Sequence, residues 1–317
     1  MPAESGLVIV DKPGGMTSHD VVARIRKLAG TRRVGHAGTL DPMASGVLVI
    51  GVEKATRLLG HLALTEKEYA ATIRIGQSTV TDDAEGEILP SAIDRSVPVS
   101  SIDEAALRGA LATFIGEIMQ VPPRISAIKV DGKRAYRLTR SGAAPELAAR
   151  PVTIRSLDLL ACRPSGQALA DIDIAVTCSS GTYIRAIARD LGAALGTGGH
   201  LTALRRTRVG PYAVKAAKTL DQLGRAFELT PLAQAAAAAF GTVHLTAEET
   251  RLVSHGVRLR DGGRQPAGGS GPVRGHDSPV GAPAPGAPVA AFAPDGSLTA
   301  LLVSQEGELR PLAVFAP

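Results

Sequence analysis

From Gly35 to Gly46 the chain places three glycines and two alanines around one carboxylate, Asp41. The unbroken apolar run Val47, Leu48, Val49, Ile50 follows at once. A run of that kind, bounded by a turn, reads as a strand buried on both faces. The loop before it has few side chains to pack, so its backbone is shaped for close approach by something else. Asp41 is the reactive group that the loop presents, and His36 stands five positions before it. Two readings are open here. Asp41 caps its own backbone in an Asp-Pro turn, or it is offered to a ligand.

The surrounding pattern mixes short strands and helices without strict alternation. Leu7 to Val10 reads as a strand, ended by the turn Asp11 to Gly15. Ser18 is placed to cap a helix with Val21, Val22, Ile25 and Leu28 on one face and Gly30 as its stop. A short helix is expected around Ala55 to Leu62. Tyr69, Ala71, Ile73 and Ile75 alternate with Ala70, Thr72 and Arg74 as a half-buried strand, and Ile172, Ile174, Val176 and Cys178 do the same. Thr81 to Gly86 is a polar turn. Ser101 with Glu104 reads as a capping box for a helix carrying Leu107, Leu111, Phe114 and Ile115. Thr182 is placed to cap a helix with Ile184, Ile187, Ala188 and Leu191 on one face. This order predicts an α+β fold with a mixed, largely antiparallel central sheet flanked by helices.

The tail differs in composition. From about Gly241, a capping box (Thr246, Glu249) precedes a Gly/Pro/Ala-rich stretch, 261–288, expected to be disordered. Val289 to Phe292 and Leu298 to Val303 then read as strands around an Asp295-Gly296 turn. The expected organisation is a domain over 1–240, with a loop-rich basic insertion over 118–147, and a small β-rich domain over 241–317.

With 317 residues the chain can bury a sizeable core. It shows no apolar run approaching a membrane span and no basic-then-apolar leader, so a cytoplasmic protein is expected. The two cysteines, Cys162 and Cys178, lack metal-ligand spacing, and no metal is expected. Net charge is +5. Arg24, Arg26, Lys27, Arg32 and Arg33 flank the Asp41 loop. Arg124, Lys129, Lys133, Arg134, Arg137 and Arg140 fall within seventeen residues that hold one acid, Asp131. Arg205, Arg206 and Arg208 form a third group. Such acid-poor clusters point to a phosphate-bearing partner, and so to nucleic acid.

Six ordered segments give a resemblance. Gly35 to Gly46 resembles the catalytic motif of the TruB family, the tRNA pseudouridine synthases that act on the T-loop. Asp11 to Ser18, Lys67 to Tyr69, Ser126 to Lys129, Gly181 to Arg185 and His200 to Thr207 match in the same order. The likeness is close over about residues 6 to 215 and looser through the tail. It implies the pseudouridine synthase fold with a PUA-like C-terminal domain, and isomerisation of uridine to pseudouridine at position 55 of tRNA.

The resemblance also implies roles. Asp41 is the nucleophile. A nucleophilic carboxylate must stay ionised; burial opposes this and a nearby cation favours it, and Arg185 is the matching cation. Tyr69 stacks on the target base, with Tyr183 and Leu204 lining the nucleotide pocket. The base is turned outward, and His36 fills the vacated space. Lys12, Lys129, Arg134, Arg205 and Arg206 are expected to contact RNA. The product is an isomer, so no cofactor is needed. The sequence shows no phosphate loop and no dinucleotide fingerprint. The expected partner is the T-loop and arm of tRNA, with the acceptor end meeting the tail, and the expected state is a monomer. The alternative is a non-catalytic tRNA-binding protein or RNA-folding chaperone of the same fold. The presence of Asp41, Tyr69 and Arg185 together weighs against it. A guide-RNA-dependent synthase is disfavoured by the lack of long basic extensions, and a methyltransferase or nuclease by the lack of a Gly-rich cofactor loop or a carboxylate cluster.

Overall fold

A computed structural model describes residues 4–90, 98–125, 129–130, 133–134, 147–165, 168–263, 267 and 286–315. In chain order the elements are β1 (Gly6–Lys12), α1 (Ser18–Ala29), β2 (Val34–Ala37), β3 (Ser45–Val52), α2 (Leu59–Leu62), β4 (Lys67–Ile75), α3 (Glu104–Ala112), β5 (Gly116–Gln120), β6 (Lys129–Val130) and β7 (Lys133–Arg134). They continue as β8 (Arg150–Pro164), β9 (Ala170–Cys178), α4 (Ile184–Ala194), β10 (Gly199–Val209), β11 (Tyr212–Ala213), α5 (Leu220–Arg225), β12 (Thr230–Pro231) and α6 (Leu232–Ala239). The tail holds β13 (Gly241–His244), α7 (Ala247–Ser254), β14 (Leu259–Arg260), β15 (Val289–Phe292), β16 (Leu298–Gln305) and β17 (Glu308–Val314). The chain divides into two compact units: residues 1–66 with 208–317, and residues 67–207.

In the first unit the apolar runs form the expected strands. β3 runs antiparallel to β1, from Gly6 opposite Val52 to Lys12 opposite Gly46. It also pairs antiparallel with β2, where His36 faces Ile50. Every β3 residue from Gly46 to Val52 is buried. α1 buries Val21, Val22 and Ile25 and ends at Gly30 in the left-handed region, as its spacing predicts.

The helix cap is a correction. Thr17, not Ser18, is the N-cap: its hydroxyl accepts from the Asp20 N–H, and the Asp20 carboxylate accepts from the Thr17 N–H. Ser18 is buried and bonded elsewhere.

The tail completes this unit. β13, β15, β16, β17 and β14 form a five-stranded sheet in that order, with β13 and β15 parallel and the others antiparallel. The expected hairpin of β15 and β16 is present, and the capping box of Thr246 and Glu249 opens α7. β17 is an added strand. It accommodates Pro311 where the pairing with β16 shifts register and where β14 no longer pairs with the strand, so a missing N–H is tolerated. Leu7, Ile9, Val47 and Val49 share one apolar cluster with Phe240, Ala290, Phe292, Leu301 and Phe315. The Lys54 ammonium donates to the Phe315 carbonyl at 2.9 Å. The tail sheet is thus built on the same core as β1 and β3. Most of the stretch 261–288, expected to be disordered, lies outside the described residues.

In the second unit β10, β4, β9, β8 and β5 are neighbours in that order. β4 and β9 pair antiparallel over their full length, from Lys67 opposite Cys178 to Ile75 opposite Ala170. Their alternation holds: Tyr69, Ala71, Ile73 and Ile75 are buried, as are Ile172, Ile174, Val176 and Cys178. α4 buries Ile184, Ile187, Ala188 and Leu191. It also lies backbone-to-backbone on the start of β10: a Cβ on Gly192 would stand 2.1 Å from the Gly199 nitrogen.

Two further expectations change here. The cap of α3 lies two residues past the expected Ser101, with Asp103 accepting from the Ala106 N–H at 2.7 Å. Ser101 instead closes a 3-10 turn on the Pro98 carbonyl, and Glu104 pairs with Arg108. The helix stops at Ala112, so Phe114 and Ile115 lie outside it. Ile118 to Gln120, expected within the excursion, belong to β5 and pair with β8. The rest of that excursion falls largely outside the described residues, apart from 121–125, 147, and the paired β6 and β7.

Candidate active site

Asp41 is half-buried in the loop that joins β2 to β3. The loop folds this way because two of its glycines take positive φ, Gly38 at 80° and Gly46 at 100°, a region closed to most side chains. Both peptide groups beside Asp41 are tied down. The Leu40 N–H and carbonyl bond to the Ser18 hydroxyl at 2.9 and 3.1 Å. The Pro42 carbonyl accepts from the Gly15 N–H at 2.8 Å and from the Lys12 ammonium at 3.2 Å. The Asp41 carbonyl itself accepts from the Ala44 N–H at 3.1 Å. A backbone turn is therefore present at Asp41-Pro42, closed by the Asp41 carbonyl, and it sets the carboxylate on a rigid mount. His36 is half-buried on β2, with its ring edge-on to that of His19 at 5.6 Å.

Lys12 corrects an expectation. Its side chain is fully buried, and its ammonium donates to the carbonyls of Pro13, Met16 and Pro42 at 2.9, 2.6 and 3.2 Å. Three acceptors satisfy three N–H groups. Lys12 therefore braces the Asp41 loop from within and does not face a phosphate. Arg206 is likewise 1% exposed, whereas its neighbour Arg205 is half-exposed. Side chains on β10 alternate, so only one of two adjacent arginines faces outward. Lys129 and Arg134 are backbone partners in β6 and β7; their side chains lie outside the described residues.

In the second unit, Tyr69 and Leu204 are buried on β4 and β10, and Tyr183 is half-buried at the start of α4. Tyr183, not Thr182, is the N-cap residue. The Thr182 hydroxyl turns back to the Ser179 carbonyl at 3.0 Å. The Tyr183 backbone is held by Gln120: its amide oxygen accepts from the Tyr183 N–H at 2.8 Å, and its NH2 donates to the Tyr183 carbonyl at 3.1 Å.

Arg185 is buried in the first turn of α4. Its Nη1 donates to the Thr81 carbonyl at 3.0 Å and stands 3.4 Å from the Asp83 carboxylate. One turn on, Arg189 meets Asp82, Asp190 and the Val121 carbonyl. Asp82 has a positive φ of 59°, and burial pushes its carboxyl above the usual carboxylate range, with Arg189 and Arg185 opposing. The polar turn at residues 81–86 is thus the clamp that orients Arg185. Asp83 and Gln120 were not singled out from sequence. The signal for Asp83 was an acidic pair in a turn, which carries no pointer to a helix a hundred residues away.

Lys67, beside Tyr69 on β4, is buried; desolvation, with the Arg206 charge, lowers its ammonium to about 8. Among the described residues no group of three or more His, Cys, Asp or Glu is placed to hold a metal ion, and no helix is long and apolar enough to cross a membrane.

The comparisons with known proteins give first the class. The chain superposes on a chain of an H/ACA ribonucleoprotein bound to a substrate RNA containing 2′-deoxyuridine, with a TM-score of 0.66 and 26% identity over 98% of this chain and 85% of that one. An archaeal box H/ACA Nop10–Cbf5 complex gives a TM-score of 0.67 at 24% identity. This is the pseudouridine synthase fold. The family follows from sequence. Residues 26–184 match the TruB family pseudouridylate synthase N-terminal domain, and residues 185–236 match the tRNA pseudouridylate synthase B C-terminal domain. The tRNA pseudouridine synthase B of Thermobifida fusca is 57% identical over 315 residues, 98% of each chain. That of an Arthrobacter species is 55% identical over 314 residues, 99% of this chain and 97% of the other. The chain belongs to the TruB family of pseudouridylate synthases.

Proposed function

We propose that the protein converts uridine to pseudouridine at position 55 in the T-loop of tRNA, with Asp41 as the nucleophile. The observation that carries the reading is the mounting of Asp41. The loop's one carboxylate, Asp41, is carried on backbone whose flanking peptides are bonded to Ser18, Gly15 and Lys12. A group fixed this way enters reaction with little reorganisation.

The reaction needs one nucleophile and a held base. The bond from the ring nitrogen to the ribose breaks, the base turns, and a carbon–ribose bond forms. The proton on that carbon leaves and the ring nitrogen takes one up, so atoms balance without redox chemistry. A covalent intermediate divides the difficult step. Tyr69 supplies the stacking surface for a base turned out of its loop, Tyr183 and Leu204 line the pocket, and His36 occupies the vacated stack. Arg185 is the cation in this reading, held by Asp83 and the Thr81 carbonyl.

Arg205, Lys129 and Arg134 make phosphate contacts in this reading; Lys12 and Arg206 act inside the protein. The PUA-like tail meets the acceptor end. Relatives named tRNA pseudouridine synthase B across nearly the whole chain support the substrate.

The test uses two unmodified tRNA transcripts, one with uridine and one with cytidine at position 55. Pseudouridine is expected in the first alone. Product elsewhere in the second would refute the assignment of position.

A further inference from the structure

Ser18 does not cap its helix, and the reason points to a task. Ser18 is 1% exposed, and its hydroxyl exchanges two hydrogen bonds with one residue, Leu40, accepting from its N–H at 2.9 Å and donating to its carbonyl at 3.1 Å. A hydroxyl is the smallest side-chain group that both donates and accepts. Bonded twice to the same residue, it fixes the rotation of the backbone immediately before Asp41. The post itself does not move easily. α1 is anchored by the reciprocal Thr17–Asp20 cap, and Val21, Val22 and Ile25 are buried behind it.

We infer that Ser18 is a positioning residue for the Asp41 carboxylate. It holds the Leu40 side of the turn, as Gly15 and Lys12 hold the Pro42 side. The backbone torsions at Asp41 are then set from both ends, and they decide where the carboxylate points. Removing the hydroxyl frees one end and leaves the fold's apolar contacts in place. The carboxylate would swing by a fraction of an ångström to an ångström, a displacement that costs turnover on the order of 10²-fold while leaving remote binding contacts alone. The inference rests on the reading of Asp41 as the reacting group.

The test compares Ser18→Ala, Ser18→Cys and the parent on an unmodified tRNA transcript, each assayed well below its own melting temperature. RNA-binding stoichiometry counts the folded fraction. Cysteine keeps the size and a weak donor, so it carries the test if alanine does not fold. The expected result is kcat per folded molecule falling in the order Ser, Cys, Ala, to roughly 10²-fold at alanine, with RNA affinity within about threefold. An unchanged kcat per folded molecule in both variants overturns the inference, because a purely structural serine lowers only the folded fraction. Asp41→Asn, run beside them, separates the two claims. If it keeps full turnover, the reading of Asp41 fails; if it is inactive while Ser18→Ala is not impaired, the inference about Ser18 alone fails.

Discussion

Arg185 and Asp83 face each other inside the second unit, guanidinium to carboxylate at 3.4 Å, with side chains only 6% and 4% exposed. The carboxylate is itself satisfied, accepting from the Thr81 hydroxyl at 2.5 Å and the Glu85 N–H at 3.0 Å. The guanidinium takes its second acceptor from the Thr81 carbonyl. The turn and the helix therefore fix the plane of Arg185 through two acceptors.

Breaking that arrangement has two expected consequences. Arg185→Lys replaces a planar fork with a point charge, and turnover on tRNA falls by at least about 10²-fold in single-turnover assays. Asp83→Ala leaves a buried guanidinium short of its counter-charge and lowers stability by roughly 3–5 kcal/mol in urea unfolding. Unaltered turnover in Arg185→Lys would remove Arg185 from the site.

Lys12 gives a prediction opposite in kind to that of a phosphate ligand. Lys12→Met removes the ammonium bonds to the Pro13 and Met16 carbonyls and leaves the Pro42 carbonyl to the Gly15 N–H alone, which costs roughly 3 kcal/mol, a fall in Tm of roughly 6–12 °C. The salt dependence of tRNA binding stays as in the parent. Arg205→Ala shows the reverse: an ordinary Tm, and a slope of log affinity against log salt reduced by about one. A salt slope lowered by Lys12→Met would contradict the brace.

Lys67 makes stability depend on pH in alkali. Its ammonium is lowered from 10.5 to about 8 in the fold. Between those values the unfolded chain binds the extra proton, so stability rises with pH through this window and the penalty is complete below it. The full span corresponds to about 3 kcal/mol. Lys67→Met should flatten the rise in Tm between pH 8 and 10.5 relative to the parent; parallel curves would rule the burial effect out.

What the sequence revealed was what local pattern and composition encode. The buried run of β3, the alternation of β4 and β9, the apolar face of α1 and the β15–β16 hairpin all follow from periodicity and turn residues. The Asp41 loop stood out because small residues around a carboxylate are locally visible. The misses share a different cause. Thr17 and Ser18 are equally good caps by composition, and the choice between them is made by Leu40, twenty-two residues on. Thr182 loses the cap position to Tyr183, whose backbone N–H is held by Gln120, sixty-three residues before it. β17 was hidden by Pro311, which sits where the register with β16 shifts and beyond the stretch of β17 that pairs with β14. Lys12 and Arg206 counted as surface charge because sequence gives charge without direction. Each outcome depends on long-range partners that no window of the chain contains.

In the proposed reaction Asp41 starts the isomerisation of one uridine in the T-loop. The measurement that bears on it most directly is pseudouridine mapping of an unmodified tRNA transcript after incubation with the parent protein and with Asp41→Asn, alongside RNA binding by both. Pseudouridine is expected at position 55 with the parent and none with Asp41→Asn, with affinities within about threefold, since the substitution keeps the shape of the loop. Product formed at the parent rate by Asp41→Asn, or by the parent at a different uridine, would contradict it.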